Sequence, residues 1–132
     1  LVVLSDDILV DGKPTTITWE APKTPGASTV LVAFDISYHG GTKGKVECTC
    51  PDTGSVAVPG ALLTALIDLG TSGFPKVEVT RISSGITEPG IPAKLIVQAK
   101  VTKFLSVPGV ISCMGTSDCP QGKTCGHDFK CI

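Results

Sequence analysis

Apolar and polar residues alternate along most of this chain with a period of two, which is typical of β-strands that are buried on one face. The clearest case is residues 30–38, where every even-numbered position is apolar or aromatic while Asp35 and Ser37 fall on the opposite face. The same alternation occurs in residues 16–19, 45–50 and 76–81. The pattern predicts an all-β protein whose strands each have one face in water.

The longest alternating stretch covers residues 93–107 and is rich in β-branched side chains. Its two faces carry Leu95, Val97, Ala99 and Val101 on one side and Gln98, Lys100 and Thr102 on the other. We expect one long half-buried strand here, or two strands joined by a bulge.

Turn-forming pairs separate these stretches at short intervals, as at Asp11-Gly12, Pro25-Gly26, Gly40-Gly41, Ser72-Gly73, Ser84-Gly85 and Pro89-Gly90. Strands punctuated in this way predict an antiparallel β-sandwich of about seven strands. One short crossover helix is predicted over residues 58–69, with Pro59 in its first turn and Gly70 at its end. The apolar face of that helix would consist of Leu62, Leu63, Leu66 and Leu69.

The C-terminal segment is different in kind, because four cysteines recur there with five residues between neighbours and with polar, turn-rich spacers. Such a segment has too little apolar surface for a core of its own and must be held by disulfides. We therefore divide the chain into a sandwich at residues 1–108 and a disulfide-stapled tail at residues 109–132. An interleaved arrangement would pair Cys113 with Cys125 and Cys119 with Cys131, although six cysteines allow 15 pairings.

The two remaining cysteines, Cys48 and Cys50, stand two residues apart in a predicted strand. Their Cα atoms would be about 6.6 Å apart, near the upper limit for a disulfide. A direct bridge between them would be strained and could be redox-active. We favour the interpretation that one or both form disulfides with cysteines of the tail, which would clamp the tail onto the sandwich.

Composition narrows the function. The chain has 132 residues, of which 42% are hydrophobic and 17% charged, and its formal net charge is −1. Neither nucleic acid nor an anionic membrane is an obvious partner for such a chain, no membrane-spanning segment is expected, and the few aromatic residues argue against glycan binding. The disulfide-rich tail predicts an extracellular or outer-surface location. A chain that begins at Leu1 is expected to have lost a signal peptide, and a lipid anchor on a preceding segment stays open.

Motifs for catalysis and for metal binding are missing from the sequence, so we expect no enzyme, no cofactor and no metal. The spacers in the tail do not fit a structural zinc site. His127 lies close to Cys125 and Cys131 in sequence and is the one histidine that such a site would use, whereas His39 is expected to be a solvated turn residue. The acids considered as calcium ligands are expected to serve ordinary turns; they are Asp6, Asp7, Asp11 and Asp52.

Residues 54–63, read with residues 46–48 and 77–81 on either side, resemble an Ig-like β-sandwich module of secreted and outer-surface proteins of δ-proteobacteria such as myxobacteria. The segment from Cys113 to Cys131 is similar to the small cysteine modules attached to the same class of proteins. The resemblance implies a fold and a location but no reaction. This chain departs from the pattern by carrying Cys50 beside Cys48.

Three functions fit these features. The first is a structural or adhesive surface subunit that self-assembles through strand addition, with residues 1–4 donated to a neighbour's sheet or retained as the first strand of their own. The second is a monomeric module that binds a protein or glycan through its loops. The third is an inhibitor-like tail that presents Lys123 or Phe129 to a partner.

Overall fold

Strands are the main regular elements in a computed structural model of the protein, which describes residues 2–4 (backbone only), 7–41, 43–86 and 93–132. In chain order its strands are β1 (Val2–Leu4), β2 (Thr15–Trp19), β3 (Ser28–Asp35), β4 (Lys45–Pro51), β5 (Ser55–Val58), β6 (Lys76–Ile86) and β7 (Lys94–Phe104). One helix, α1 (Gly60–Asp68), lies between β5 and β6. Two antiparallel sheets result, one with the order β1-β2-β5 and one with the order β4-β3-β6-β7. The predicted β-rich fold with one helix is confirmed.

The core lies between the inward faces of the strands. In β3 and β6, Val32 faces Val79 and Phe34 faces Val77 across the antiparallel ladder, so their side chains share one face. Burial of each such side chain contributes roughly 1.5 to 3 kcal/mol. The buried core comprises Leu9, Ile17, Val30, Val32, Phe34, Ile36, Val58, Leu63, Leu66, Val77, Val79, Leu105 and Val107.

The strand predicted over residues 30–38 ends earlier, at Asp35. The backbone N–H of Ser37 donates to Oδ1 of Asp35 at 2.9 Å, and the N–H of Gly40 donates to the Ser37 carbonyl at 2.9 Å. These local bonds end the strand and turn the chain at Tyr38 and His39, because a side chain that bonds nearby backbone competes with the strand ladder.

Helix α1 connects the first sheet to the second and is the predicted crossover helix, but its ends and its apolar face differ from the prediction. Pro59 precedes the first turn as the N-cap residue, and the helix ends at Asp68. Only two of the four leucines, Leu63 and Leu66, are buried, whereas Leu62 and Leu69 are exposed. Positions 63 and 66 are one turn apart and lie on one stripe, so the face that packs is narrower than the pattern suggested.

The N-terminal strand belongs to its own chain. Val2, Val3 and Leu4 pair with Trp19, Thr18 and Ile17 of β2, while Leu1 lies outside the described residues. After β1 the chain runs beside the segment that follows β7, where the N–H of Leu9 donates to the Ser106 carbonyl at 2.9 Å. Two roles were considered for residues 1–4, and the described part of this segment forms the first strand of its own sheet.

The tail is held by two disulfides, Cys113–Cys125 and Cys119–Cys131, which is the interleaved order described above. It also contacts the body directly. The N–H of Gly73 donates to the Asp128 carbonyl at 2.6 Å, and the Ser112 hydroxyl donates to the Gly73 carbonyl at 2.5 Å. The tail is therefore docked onto the loop that precedes β6.

Candidate functional site

Strand β7 is the least buried strand of the protein for which side chains are described. Its face toward the first sheet, which we call the β7 apolar face, consists of Leu95, Val97, Ala99 and Val101. These residues are exposed, with 60% of Leu95, 55% of Val97 and 43% of Val101 accessible to solvent. Of the two alternatives predicted for this stretch, the single long strand is confirmed, but the predicted burial of its apolar face is wrong.

The position of β7 explains this exposure. It is the outermost strand of the four-stranded sheet, and among the described residues it forms a ladder with β6 alone. The neighbours of Val97 and Leu95 on β6 are Ser83 and Gly85, which are too small to cover them. No residue of β7 belongs to the buried core. An apolar strand face and an unpaired strand edge are thus presented together, which is the feature that natural proteins usually protect.

The β7 apolar face forms one wall of a groove of about 230 Å³ between the sheets. Ala99 and Val101 line the groove from β7, Trp19 lines it from β2 and Arg81 lines it from β6. Arg81 is a charged residue in the inward row of β6 that contains Val77 and Val79, and its guanidinium donates to the Glu20 backbone carbonyl and to the Asp52 carboxylate.

Asp52 has a fully buried side chain and is the ion-pair partner of Arg81, which lines this groove. Its carboxylate accepts hydrogen bonds from the Arg81 guanidinium at 2.5 and 3.1 Å, from Trp19 Nε1 at 2.6 Å and from the Ser28 hydroxyl at 2.5 Å. These bonds, that from Arg81 foremost, hold the pKa of Asp52 below its ordinary value despite burial. The network joins both sheets, and its carboxylate is fully engaged by protein donors. Asp52, one of the acids considered for calcium, is therefore a structural ion-pair partner.

The opposite face of the four-stranded sheet is polar. Glu78 accepts hydrogen bonds from Lys76 Nζ at 3.0 Å, from Lys100 Nζ at 3.5 Å and from Thr102 Oγ1 at 3.4 Å. The bond from Lys76 is the main cause that lowers the pKa of Glu78. Lys76 Nζ also lies 3.5 Å from the centre of the Tyr38 ring, a cation–π contact. The charges of Lys76, Glu78 and Lys100 are therefore paired with one another on this face.

Cys48 and Cys50 are free thiols on β4, each half-buried. The favoured expectation that one or both would pair with the tail is wrong, since the four tail cysteines pair among themselves. Burial is the main cause that raises the pKa of Cys50, and the neighbouring Cys48 adds to it. The disulfides also account for a group of close cysteine sulfurs in the tail, namely Cys113, Cys119 and Cys131, which resembles a metal site in the part of the chain described.

The other candidates from the sequence lie apart from the groove. Asp7 is exposed, Asp11 accepts the Thr64 hydroxyl at 2.5 Å, and Asp6 lies outside the described residues. His39 and His127 are exposed, and His39 adopts a positive φ of 66° in a turn.

Two features of this site were missed in the sequence. Arg81 has the same strand parity as Val77 and Val79, and a charged residue at an inward position is the signal that could have revealed its buried acidic partner. The exposure of β7 had no sequence signal, because it depends on the position of β7 at the edge of its sheet.

Comparisons with protein-family models, with curated proteins and with solved structures found no match. In the part of the chain that the structure describes, none of the helices is long and apolar enough to cross a bilayer. Function is therefore inferred from the geometry of β7 and of its groove.

Proposed function

We propose that the protein is a non-catalytic, extracellular structural or adhesive subunit that associates with a second copy of itself through β7. One observation carries the proposal. β7 exposes a row of aliphatic side chains on the face that is directed toward the first sheet, and no described strand is hydrogen-bonded to its outer backbone edge. A second copy of β7 would supply the missing backbone partners, and it would place an equally apolar row beside this one, where the two rows contact each other laterally.

The sequence of β7 is complementary to itself in one antiparallel register. If Gln98 faces Gln98 of the second copy, Leu95 lies opposite Val101 and Val97 lies opposite Ala99, so the apolar faces coincide. On the polar face, Lys94 lies opposite Thr102 and Lys100 opposite Ile96, so no two lysines meet. Such a pairing is isologous and closes as a dimer.

The neighbouring registers are worse. Centring the pair on Val97 would place Lys94 directly opposite Lys100, and like charges in that position destabilise a strand pair. Centring it on Ala99 would place Lys103 against Leu95 at each end of the apolar row. The Gln98-centred register avoids both conflicts, and it would join two four-stranded sheets into one continuous sheet.

Fold and location are part of the proposal. The strand orders β1-β2-β5 and β4-β3-β6-β7 support an Ig-like sandwich, in which consecutive strands are distributed between two sheets and the chain changes sheet between β5 and β6. The two tail disulfides support an oxidising, extracellular location, because such bonds persist there.

Light scattering on a sizing column over a range of concentrations tests the association. The native protein should move toward twice the chain mass of 13.5 kDa as its concentration rises. Val97→Lys should weaken the association at least about tenfold, because it places a charge against the apolar row of the second copy. Leu62→Lys is the matched control, since Leu62 is also an exposed aliphatic residue but lies on α1. Equal behaviour of the two variants would contradict the role of β7.

Cross-linking tests the register. In a Cys48→Ser/Cys50→Ser background, Gln98→Cys should form a disulfide-linked dimer under mild oxidation, because facing residues of antiparallel strands are 4.5 to 5.5 Å apart at Cα. Lys94→Cys should stay monomeric on a reducing-agent-free gel, since its own copy lies several residues away in this register. Dimers from both variants, or from neither, would overturn the register.

A monomeric binding module is the second candidate, and the groove beside Trp19 and Arg81 favours it. A mass that stays at 13.5 kDa at every concentration would favour this alternative. The inhibitor-like role of the tail has less support, because the ring of Phe129 lies 6.3 Å from that of Phe74 and takes part in docking the tail, while Lys123 is exposed.

A further inference from the structure

The two thiols of β4 form a pair that the association through β7 does not use. Cys48 and Cys50 lie opposite Val32 and Val30 of β3, so both side chains are on the inward face of β4. Both are half-buried, which leaves part of each side chain within reach of solvent. They are the free cysteines of the protein, whereas the other four cysteines are paired.

Strand geometry sets the spacing of this pair. Residues two apart in an extended strand have Cα atoms about 6.6 Å apart with their side chains on the same side. The ladder with β3 runs without a break from Lys45 to Pro51, which holds the backbone of β4 extended. This spacing is near the upper limit for a direct disulfide. Two thiols that project in parallel from a fixed backbone can instead both bind one soft atom placed between them.

The surroundings decide which atom could bind. Among the described residues, no group of three or more metal-binding side chains includes Cys48 or Cys50. The carboxylates nearest in sequence are not available as further ligands, because Glu47 lies on the opposite face of β4 and Asp52 is engaged by Arg81. A tetrahedral zinc site needs four ligands, and hard cations prefer oxygen, so both are disfavoured. Two sulfur ligands alone suit a soft ion that accepts two-coordinate binding, of which Cu(I) is the biological example.

We propose that Cys48 and Cys50 form a two-thiolate binding site for a soft monovalent metal ion, represented by Cu(I). Binding forms two copper–sulfur bonds and releases the two thiol protons to water. The metal remains in the +1 state, so no electron donor or acceptor is required. The site lies on the opposite edge of the four-stranded sheet from β7, and it is independent of the proposed association.

Competition with bathocuproine disulfonate tests the proposal, using the native protein without oxygen and with its tail disulfides intact. A thiol titration beforehand should find two free thiols per chain. The native protein should then withdraw one Cu(I) per chain from the chelator. Cys48→Ser and Cys50→Ser should each weaken binding at least about 100-fold, because a second tethered ligand raises affinity by that order.

Thr49→Ser is the matched control, since it changes a side chain on the opposite face of β4 and should leave Cu(I) binding unchanged. Circular dichroism of every variant establishes that the fold is retained. The absence of free thiols before loading would overturn the proposal. So would Cu(I) binding by the Cys48→Ser/Cys50→Ser double variant at native strength, because the metal would then be held elsewhere.

Discussion

At the scale of single residues, the contacts of Asp52 determine how the two sheets are held together. One buried carboxylate accepts hydrogen bonds from Trp19 on β2, from Ser28 on β3 and from Arg81 on β6. A charge in such a position is costly unless it is paired, and here every donor comes from a different strand. The network therefore specifies the alignment of the sheets in addition to stabilising them.

Replacing Asp52 with Asn should lower the free energy of unfolding by about 2 kcal/mol, because Arg81 loses its charged partner while some hydrogen bonds survive. The effect is moderated by the 38% exposure of the Arg81 side chain. Urea denaturation followed by the fluorescence of Trp19 would measure it. Asp11→Asn, at an exposed acid, is the control and should change stability much less. Equal losses for the two variants would argue against the network.

The lowered pKa of Asp52 predicts how the stability of the protein depends on pH. The folded-state pKa of Asp52 is below its ordinary value of 3.8, so its contribution to stability is present above that pH and is lost as the pH falls through the folded value. Native protein should lose stability as the pH falls below about 4, and Asp52→Asn should lose less. Parallel losses in the two proteins would contradict this assignment.

Gly73 illustrates a backbone requirement at the same scale. It has a φ of +56°, and a Cβ at this position would clash with the carbonyl oxygen of Tyr38. We expect Gly73→Ala to cost about 2 to 4 kcal/mol. Gly109→Ala, at a φ of +81° in open space, should cost only about 1 kcal/mol. Thermal denaturation of both variants would test the difference, and similar melting temperatures would count against the clash.

At the scale of elements, the tail combines covalent and non-covalent attachment. Each disulfide spans 12 residues in sequence, which corresponds to about 3 kcal/mol in the chain-entropy model. The regular spacing of its cysteines made a stapled tail predictable. Its docking through Gly73 and Asp128 was not predictable, because it depends on where the loop before β6 lies.

Removing one staple, as in Cys113→Ala/Cys125→Ala, should release the tail while the body stays folded, because no tail residue belongs to the main core. Limited proteolysis should then cut between residues 114 and 124, whereas native protein should resist. Ser117→Ala, in the same loop, is the control and should remain resistant. A variant as resistant as the native protein would mean that the docking contacts suffice.

At the scale of the whole molecule, the body is expected to fold without the tail. The buried core draws on β2, β3, β5, α1 and β6 and ends at Val107. Deletion of residues 109–132 should therefore leave a folded, less stable body. Circular dichroism and thermal denaturation would measure this, and loss of the strand signal at room temperature would show that the tail is required as a clamp.

The sequence by itself determined the strand periodicity, the approximate position of the helix and the existence of a stapled tail, because each follows from spacing along the chain. Only the tertiary structure decided what each apolar face would contact. Residues 30–34 and 95–101 show the same alternation, yet the first face is buried and the second is exposed. The difference arises because β3 is a central strand and β7 an edge strand, and that position results from the pairing of distant segments.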